Sequence, residues 1–539
     1  MADKLAVVLV LQYRMVPRWL LKVILKLRDS GEVTFPAVFL FPDHDYHPSH
    51  SMVYRLHELL DQTVFRNGSD DDRPEDLIAI LDNPVVYEYT NNDSLQPENF
   101  MKEDWDVLLN LSNVETPHWL EHSFCYGVLG FSIDPPFTMT GMDPCYRALV
   151  RREPYLTVTA TWSGIFCAGK KVIHRSYLPV DRNSMIINER NAWGMCEIMI
   201  PRLISGLYRS GIGFIWEQME KFRDEKVRSG VMNHAPLKLS GYRAFRNMAG
   251  VMTDFVRRKV FYRPQFRWFL MVDMKGHAGG SGQLDGYKPL YPPDGCFWAD
   301  PYPVSEGGSN FIFAEEFDYR LDKGRISVIE LDDLGNVIGI NCIIDRPYHM
   351  SYPFVFKVGD TYYMIPETSA NRTIELYECT NFPMEWKFVK HLAENIDAVD
   401  TTLFYHDHEW WMFTAVCTMP EFPDYRELFL YHAHDFLAEE WHSHPSNPVV
   451  SDIRNARPAG GVFIRDGKLY RPAQDCSGRY GRAINFNEIS EIDTLRYSEK
   501  KAVRIKPPLN RGLKGIHTFN SCSELEVIDV YEYCKRFGS

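Results

Sequence analysis

The chain has 539 residues and a formal net charge of −13, and it is 45% hydrophobic and 14% aromatic. That length suits two or three domains, and the acidic balance, with a pI near 5.8, excludes bulk nucleic-acid binding as its role. Its 11 cysteines contain no C-x-x-C pair and are odd in number, which reads as reduced thiols rather than a disulfide frame or a zinc site.

In chain order, the first element is Lys4–Leu11 (KLAVVLVL), a continuous apolar run expected of a strand buried on both faces. Pro17 opens a helical pattern with Trp19, Leu20, Val23, Ile24 and Leu27 on one side and Lys22, Lys26 and Arg28 on the other, and Gly31 ends it. Those lysines interrupt the most apolar stretch, so no segment reaches the ~20 apolar residues of a membrane span. No signal-peptide cleavage pattern is seen, and a cytoplasmic location is expected. Phe35–Phe41, Trp105–Leu111 and Tyr126–Ile133 read as further strands, and Thr157–Val180 is β-rich. Residues 1–240 are therefore expected to form an α/β N-terminal domain. The turn after the first strand, Gln12 to Pro17, lacks glycine, so neither a dinucleotide nor a P-loop nucleotide is indicated.

Residues 241–264 form a basic connector. Between Tyr242 and Arg267 lie Arg243, Arg246, Arg257, Arg258, Lys259, Arg263 and Arg267 against the single acid Asp254, interleaved with Phe245, Phe255, Phe261 and Tyr262. Two readings stand: a helix with a solvated basic face, or a peripheral contact with anionic lipid headgroups, making the protein membrane-peripheral.

From about residue 265 to 539 one motif recurs five times, with polar anchors Asp300, Tyr352, Asp400, Arg457 and His517 spaced by 52, 48, 57 and 60 residues. Each anchor is followed by a strongly β run: Asn310–Glu316, Thr361–Glu367, Glu409–Ala415, Lys468–Asp475 and Val527–Tyr533. Polar turns such as Asp466-Gly467 lie between, as hairpins require. Third strands follow at Arg325–Leu331, Ile374–Cys379, Leu428–Ala433 and Ala483–Ile489. Such repeats predict an all-β five-bladed β-propeller. The fifth blade runs out of chain, so Arg267–Met274 is expected to complete it and remove an open edge. The register puts all five anchors around one central funnel.

The anchors carry the candidate chemistry. Asp300 either caps a turn before Pro301 or has a catalytic or binding role at the funnel, and Asp400 shares its phase. Two funnel carboxylates serve as base and acid or hold sugar hydroxyls. Arg457 is either an anion site for phosphate or the partner of a blade Asp. His517 is a general base or a hydrogen-bonded funnel residue. Glu315 and Glu367 end second strands, pointing inward or to solvent. Gln474 and Asp475 suit sugar hydroxyls or turn satisfaction, and Trp298, Tyr352, Trp410 and Trp411 suit ring stacking or blade core. His432, His434, His442 and His444 read as strand alternation and a His-Pro turn, so no metal site is expected.

The segments WADPYPV, HMSYPFVFKVGDTYYMIPETSA, VDTTLF, ARPAG and GIHT-N, together with Trp441 to Pro448 and Tyr470 to Gly481, resemble the propeller domain of the glucosamine inositolphosphorylceramide transferase family over about Cys296 to Asp529. The architecture also resembles the five-bladed arabinanase and invertase-like glycoside hydrolases. In those enzymes an Asp early in blade one is the base or nucleophile. Asp300 in WADP matches it, with Asp400 and Glu367 as candidates for the other carboxylate roles. More faintly, the first domain resembles formyltransferase/Rossmann-like domains, but the catalytic Asn-x-His of formyltransferases is replaced by GFSIDPP from Gly130 to Pro136.

The resemblance implies a carbohydrate-active, glycosyltransferase-type transferase acting on a glycan, polyol-phosphate or lipid-linked acceptor. Its expected catalytic residues are Asp300, Asp400, Glu367 and His517. Arg457, Tyr352, Gln474, Asp475 and Trp298 are its expected substrate contacts. No cofactor is expected beyond a nucleotide sugar as co-substrate. A glycoside hydrolase, a sugar N-formyltransferase with a glycan-binding propeller, and a non-catalytic glycan-binding adaptor are the alternatives.

Overall fold

The computed structural model describes residues 4–41, 52–65, 74–88, 104–112, 116–133, 144–223, 249, 250, 253, 266–274, 284, 286–507, 512–523 and 525–533. The chain divides into two compact units, Met1–Phe261 and Tyr262–Ser539. Apart from residues 249, 250 and 253, the basic connector at 241–264 lies outside the described residues. No helix among them is long and apolar enough to cross a membrane, and every described cysteine is a free thiol.

The first unit is a mixed sheet with helices. Its strand order is Cys167–Pro179, Tyr155–Gly164, Gly127–Ile133, Val107–Asn110, Leu5–Leu11, Ala37–Leu40, Val85–Glu88. Leu5–Leu11 lies parallel to both of its long neighbours, whereas the Tyr155–Pro179 hairpin runs antiparallel to Gly127–Ile133. The first strand is buried on both faces as expected. Val7, Leu9 and Leu11 join one core and Val8 and Val10 the other. The helix Arg18–Asp29 packs Leu20, Leu21, Val23, Ile24 and Leu27 inward, and Trp19 stacks on Trp193 at 4.5 Å.

The helix Met185–Ser210 has a start that the local sequence only half announces. Ser184 accepts a hydrogen bond from the Ile187 N–H at 3.1 Å, an ordinary N-cap. The next two orphan N–H groups, of Met185 and Ile186, donate to Asp61 Oδ2 at 2.7 and 3.0 Å. Asp61 is wholly buried and comes from the helix Met52–Phe65. It complements the positive end of the helix and satisfies two donors at once. Asp61→Ala is expected to destabilise this unit by about 2–4 kcal/mol, since two buried N–H groups lose their acceptor. Chemical denaturation of the variant against wild type measures it, and a loss below about 0.5 kcal/mol would contradict the assigned role.

The second unit is a five-bladed propeller. Blades one, two and four are four-stranded sheets, ordered from the axis outward as Cys296–Glu306, Ser309–Asp318, Lys323–Leu331, Val337–Ile344 in blade one, Ser351–Val358 to Glu385–Glu394 in blade two, and Phe463–Arg465 to Tyr497–Ile505 in blade four. Blade three starts at Ala398–His406, and its outermost strand is split into His442–Ser443 and Val450–Ser451. Blade five takes Gly515–Ser521 and Glu526–Tyr533 from the end of the chain and Phe266–Asp273 and Lys288–Leu290 from the start of the unit. The closing pair runs in unbroken register from Phe266 opposite Tyr533 to Asp273 opposite Glu526. That pairing was expected; the fourth, outermost strands were not, and in blades two and four the charge-rich sequences of Glu385–Glu394 and Tyr497–Ile505 lack the apolar run that marks inner strands.

Candidate functional site

The innermost strands carry the anchors, and a local irregularity aims them. In blades one, two, three and five the pairing of the first two strands breaks at the anchor: between Ala299 and Tyr302, Ser351 and Phe354, Val399 and Thr402, Ile516 and Phe519. Asp300, Tyr352 and Asp400 adopt φ of +50°, +43° and +54° there, a conformation uncommon for residues other than glycine. A bulge of this kind turns the side chain out of the strand's alternation. Blade four differs, since Arg457 precedes the short strand Phe463–Arg465 and only an isolated Pro458–Ala473 bridge continues the sheet.

Two polar groups meet at the axis. In the first, His517 Nε2 lies 3.2 Å from Asp300 Oδ1 and its Nδ1 lies 2.7 Å from Asp529 Oδ2, the latter an ion-pair contact off the ideal hydrogen-bond line. The Thr518 hydroxyl also donates to Asp300 Oδ1, at 2.8 Å, and Asp300 Oδ2 takes no partner among the described residues. Asp529 is the hub: it accepts the backbone N–H groups of Asp300, His517 and Thr518 at 2.9, 3.0 and 2.9 Å. All three acidic and imidazole side chains are buried. Burial alone favours a neutral imidazole, but Asp529 and then Asp300 outweigh it and take His517 up to about 10. Burial likewise opposes ionisation of Asp300, yet the histidinium, the Thr518 hydroxyl and Arg457 hold it below the usual carboxylate range.

In the second group Arg457 Nε donates to Asp400 Oδ2, and Nη2 lies 3.4 Å from Oδ1 of the same carboxylate and 3.8 Å from Glu367 Oε2. Of the two readings of Arg457, the blade-Asp partner is the arrangement observed. Its guanidinium sits 5.5 and 5.3 Å from the ring centres of Tyr425 and Tyr480. Asp400 is wholly inaccessible and also accepts from Gln474 Nε2 at 2.8 Å. Its complete burial raises its pKa, against the pull of Arg457. Glu367 accepts from the Ser369 hydroxyl on Oε1 at 2.8 Å, while Oε2 finds no donor. Burial, then the Asp400 charge, push Glu367 up to about 8, with Arg457 opposing. Glu315 is raised well above its ordinary range, by burial and then by Asp300 and Glu367. His349 Nδ1 accepts the Gly324 N–H at 3.0 Å, which places the proton of a neutral ring on Nε2, 3.5 Å from Glu315.

The remaining expected contacts sit deeper. Tyr352 is buried, and its hydroxyl meets Thr402 at 2.9 Å and accepts the Gly460 N–H at 2.8 Å, tying blade two to blades three and four. Gly460 has φ +136°, and a Cβ there would fall 1.9 Å from the Phe519 carbonyl, so only glycine fits. Trp298 lies in the core with its Nε1 donating to Glu316 at 3.2 Å. Asp475 pairs with Arg504 at 2.5 Å and accepts from the Ser477 N–H at 2.9 Å. The Glu316 and Arg504 contacts each tie strands within one blade. Trp411 is likewise core, and Trp410 packs near Phe356 and Phe436.

Asp300, His517 and Asp529 also bring ligand atoms within 4.8 Å of one another, the one such grouping among the described residues. Asp529 already accepts three backbone N–H groups and faces His517 Nδ1 at 2.7 Å, which fits a histidinium between two carboxylates better than a metal ion. The four histidines between His432 and His444 form no such grouping among the described residues, although His432 and His434 both face Glu409. His432 lies 5.5 Å from His442 ring to ring, His434 meets Glu409, and His444 meets the Asp493 carbonyl.

Asp529, Thr518, His349 and Tyr480 were not anticipated as site residues. An acid at an inward position of the otherwise apolar Val527–Val530 run was the available signal for Asp529. A five-bladed propeller with carboxyl, imidazole and guanidinium groups gathered on its axis is thus the class that fold and site define. Residues 291–533 match the family model described as glucosamine inositolphosphorylceramide transferase 1, N-terminal. Glucosamine inositolphosphorylceramide transferase 1 of Oryza sativa subsp. japonica is 34% identical over 229 residues, covering 42% of this chain and 30% of the relative. That of Arabidopsis thaliana is 30% identical over 229 residues, covering 42% and 29%. The chain thus spans under a third of the length of these relatives. Among solved structures, a thermostable family-43 glycoside hydrolase is similar over 39% of this chain and 77% of its own, with TM-score 0.31 and 14% identity. The catalytic domain of a Coprinopsis cinerea GH62 α-L-arabinofuranosidase is similar over 50% and 98%, with TM-score 0.32 and 13% identity.

Proposed function

We propose that the propeller axis catalyses glycosyl transfer, moving a sugar onto a glycan, polyol-phosphate or lipid-linked acceptor. The observation that carries this reading is the splitting of two carboxyl groups. Asp300 is held ionised by His517 and Thr518, and Glu367 is held protonated up to about 8. Environments that push two titratable groups apart define a base and an acid. Asp300 Oδ2, the unpartnered oxygen, accepts the proton of the acceptor hydroxyl, and the Glu367 carboxyl donates one to the departing oxygen. Asp400 has no surface, so its part is to set the proton affinity of Glu367 and to hold Arg457. His517 keeps Asp300 ionised and positioned. Tyr425 and Tyr480 flank Arg457 and offer faces for a sugar ring. The related proteins are named as glucosamine inositolphosphorylceramide transferases, which supports a sugar substrate and a lipid-linked acceptor.

Hydrolysis is the second reading, because the same acid–base pair serves when water replaces the acceptor. Formyl transfer is not proposed: the strand Gly127–Ile133 offers Gly130, Phe131 and Ser132 where an imidazole proton shuttle would be needed.

The test is an assay of the purified chain with nucleotide sugars, sugar phosphates and oligosaccharides, separating transfer to added acceptors from release of free sugar. Activity should require protonated Glu367 and therefore fall as pH rises through about 8. Asp400→Asn removes the like charge and releases Arg457 toward Glu367. Both changes lower the Glu367 pKa, so the alkaline limb of the rate profile should move to lower pH. A limb that stays in place in Asp400→Asn would reject Glu367 as the acid.

A further inference from the structure

We infer that the β-hairpin Tyr155–Pro179 of the first unit is a membrane-docking element that inserts its tip into an anionic lipid surface. The strands Tyr155–Gly164 and Cys167–Pro179 are joined by a two-residue turn, Ile165-Phe166. Two-residue hairpin turns favour Asn-Gly or other glycine-containing pairs, because the chain reverses through unusual dihedrals. Here the flanks carry that demand, with Gly164 at φ +151° and Gly169 at +68°. The apex is thereby left to two large apolar residues that local geometry does not require. Ile165 is 54% exposed and Phe166 49% exposed, so neither contributes to the core.

The charge around the tip is complementary to an anionic surface. Between Pro154 and Val180 the sequence contains no Asp or Glu but does contain Lys170, Lys171 and Arg175, within a chain of net charge −13. Lys170 and Lys171 are exposed, and neither makes an ion pair among the described residues. An apolar apex flanked by unpaired lysines matches a bilayer interface: the apex enters the headgroup–acyl boundary while the ammonium groups stay with the anionic headgroups. Gly164 lies against Gly127, the first residue of its strand. The tip therefore lies at the amino-terminal ends of the parallel strands and leaves their carboxyl ends uncovered. The hairpin belongs to the first unit and is a different stretch of sequence from 242–267, so the inference does not rest on the proposed reaction.

The test is co-sedimentation of the full chain with phosphatidylcholine vesicles, with and without phosphatidylserine. Wild type should bind the anionic vesicles and not the zwitterionic ones. Ile165→Ser with Phe166→Ser should weaken binding at least about 100-fold, and Lys170→Glu with Lys171→Glu about 30-fold. All four side chains are exposed, so thermal unfolding of these variants should match wild type. Three results would overturn the inference: no binding by wild type, equal binding to both vesicle types, or binding undiminished in the apex variant. The last would move the contact elsewhere, to the segment 242–267 for instance. A change in oligomeric state with unchanged vesicle binding would instead assign the tip to a second copy of the chain.

Discussion

Asp529→Ala is expected to destabilise the propeller by about 3–5 kcal/mol, the cost of leaving a buried cation unpaired. Asp529 is wholly buried, accepts three backbone N–H groups and forms an ion-pair contact with His517 Nδ1. Two of those N–H groups belong to the innermost strand of blade five and one to that of blade one. The loss therefore falls on the junction that closes the ring. Amide hydrogen exchange of Gly515–Ser521 reports it directly, and protection equal to wild type would remove Asp529 from the hub. The pH dependence carries a second signature. His517 has a folded pKa raised to about 10, against an ordinary 6.5. The native state thus holds one more proton than the unfolded chain between those values, and its stabilisation is complete below 6.5 and lost as pH rises toward 10. Without Asp529 the His517 pKa falls, and this part of the alkaline loss of stability should shrink.

Asp300→Asn is expected to reduce glycosyl transfer by about 10²–10⁴-fold, the range for removal of a general base. Asn keeps an oxygen for the Thr518 hydroxyl and the His517 Nε2, so the fold should survive. What disappears is the negative charge and the free Oδ2 that would take the acceptor proton. The loss should fall on kcat more than on KM, since proton removal belongs to the chemical step and not to substrate binding. Asp300→Asn with undiminished turnover would sink the axial site as the seat of the reaction. Glu367→Gln should lose activity comparably on substrates with a poor leaving group and less on activated ones, because only the former need the proton. Equal losses on both would leave Glu367 with a positioning role.

Much of the propeller was legible in the chain because its signals are local. Apolar β runs, turn dipeptides and a spacing of 48 to 60 residues belong to each blade separately. The closure by Phe266–Asp273 followed from counting strands, since blade five would otherwise end on an open edge. The phase of the anchors was legible too, and four of the five, Asp300, Asp400, Arg457 and His517, meet in the two axial groups. Their partners were not. Arg457 could be read equally as a phosphate ligand or as half of an ion pair. Only the juxtaposition of blades three and four reveals the ion pair with Asp400.

The same division holds elsewhere in the molecule. Trp298 and Asp475 look like sugar contacts in sequence, and the three-dimensional packing turns Trp298 toward Glu316 and Asp475 toward Arg504. Asp61, more than 120 residues before the helix it caps, carries no local mark of that role. The sequence by itself determined the blade count, the strand runs, the αβ start of the first unit and which residue types reach the axis. The tertiary structure decided how the proton affinities of Asp300 and Glu367 are pushed apart. Proton affinity depends on burial and on charges brought close by ring closure, and in this chain those charges come from residues as far apart as Asp300 and His517.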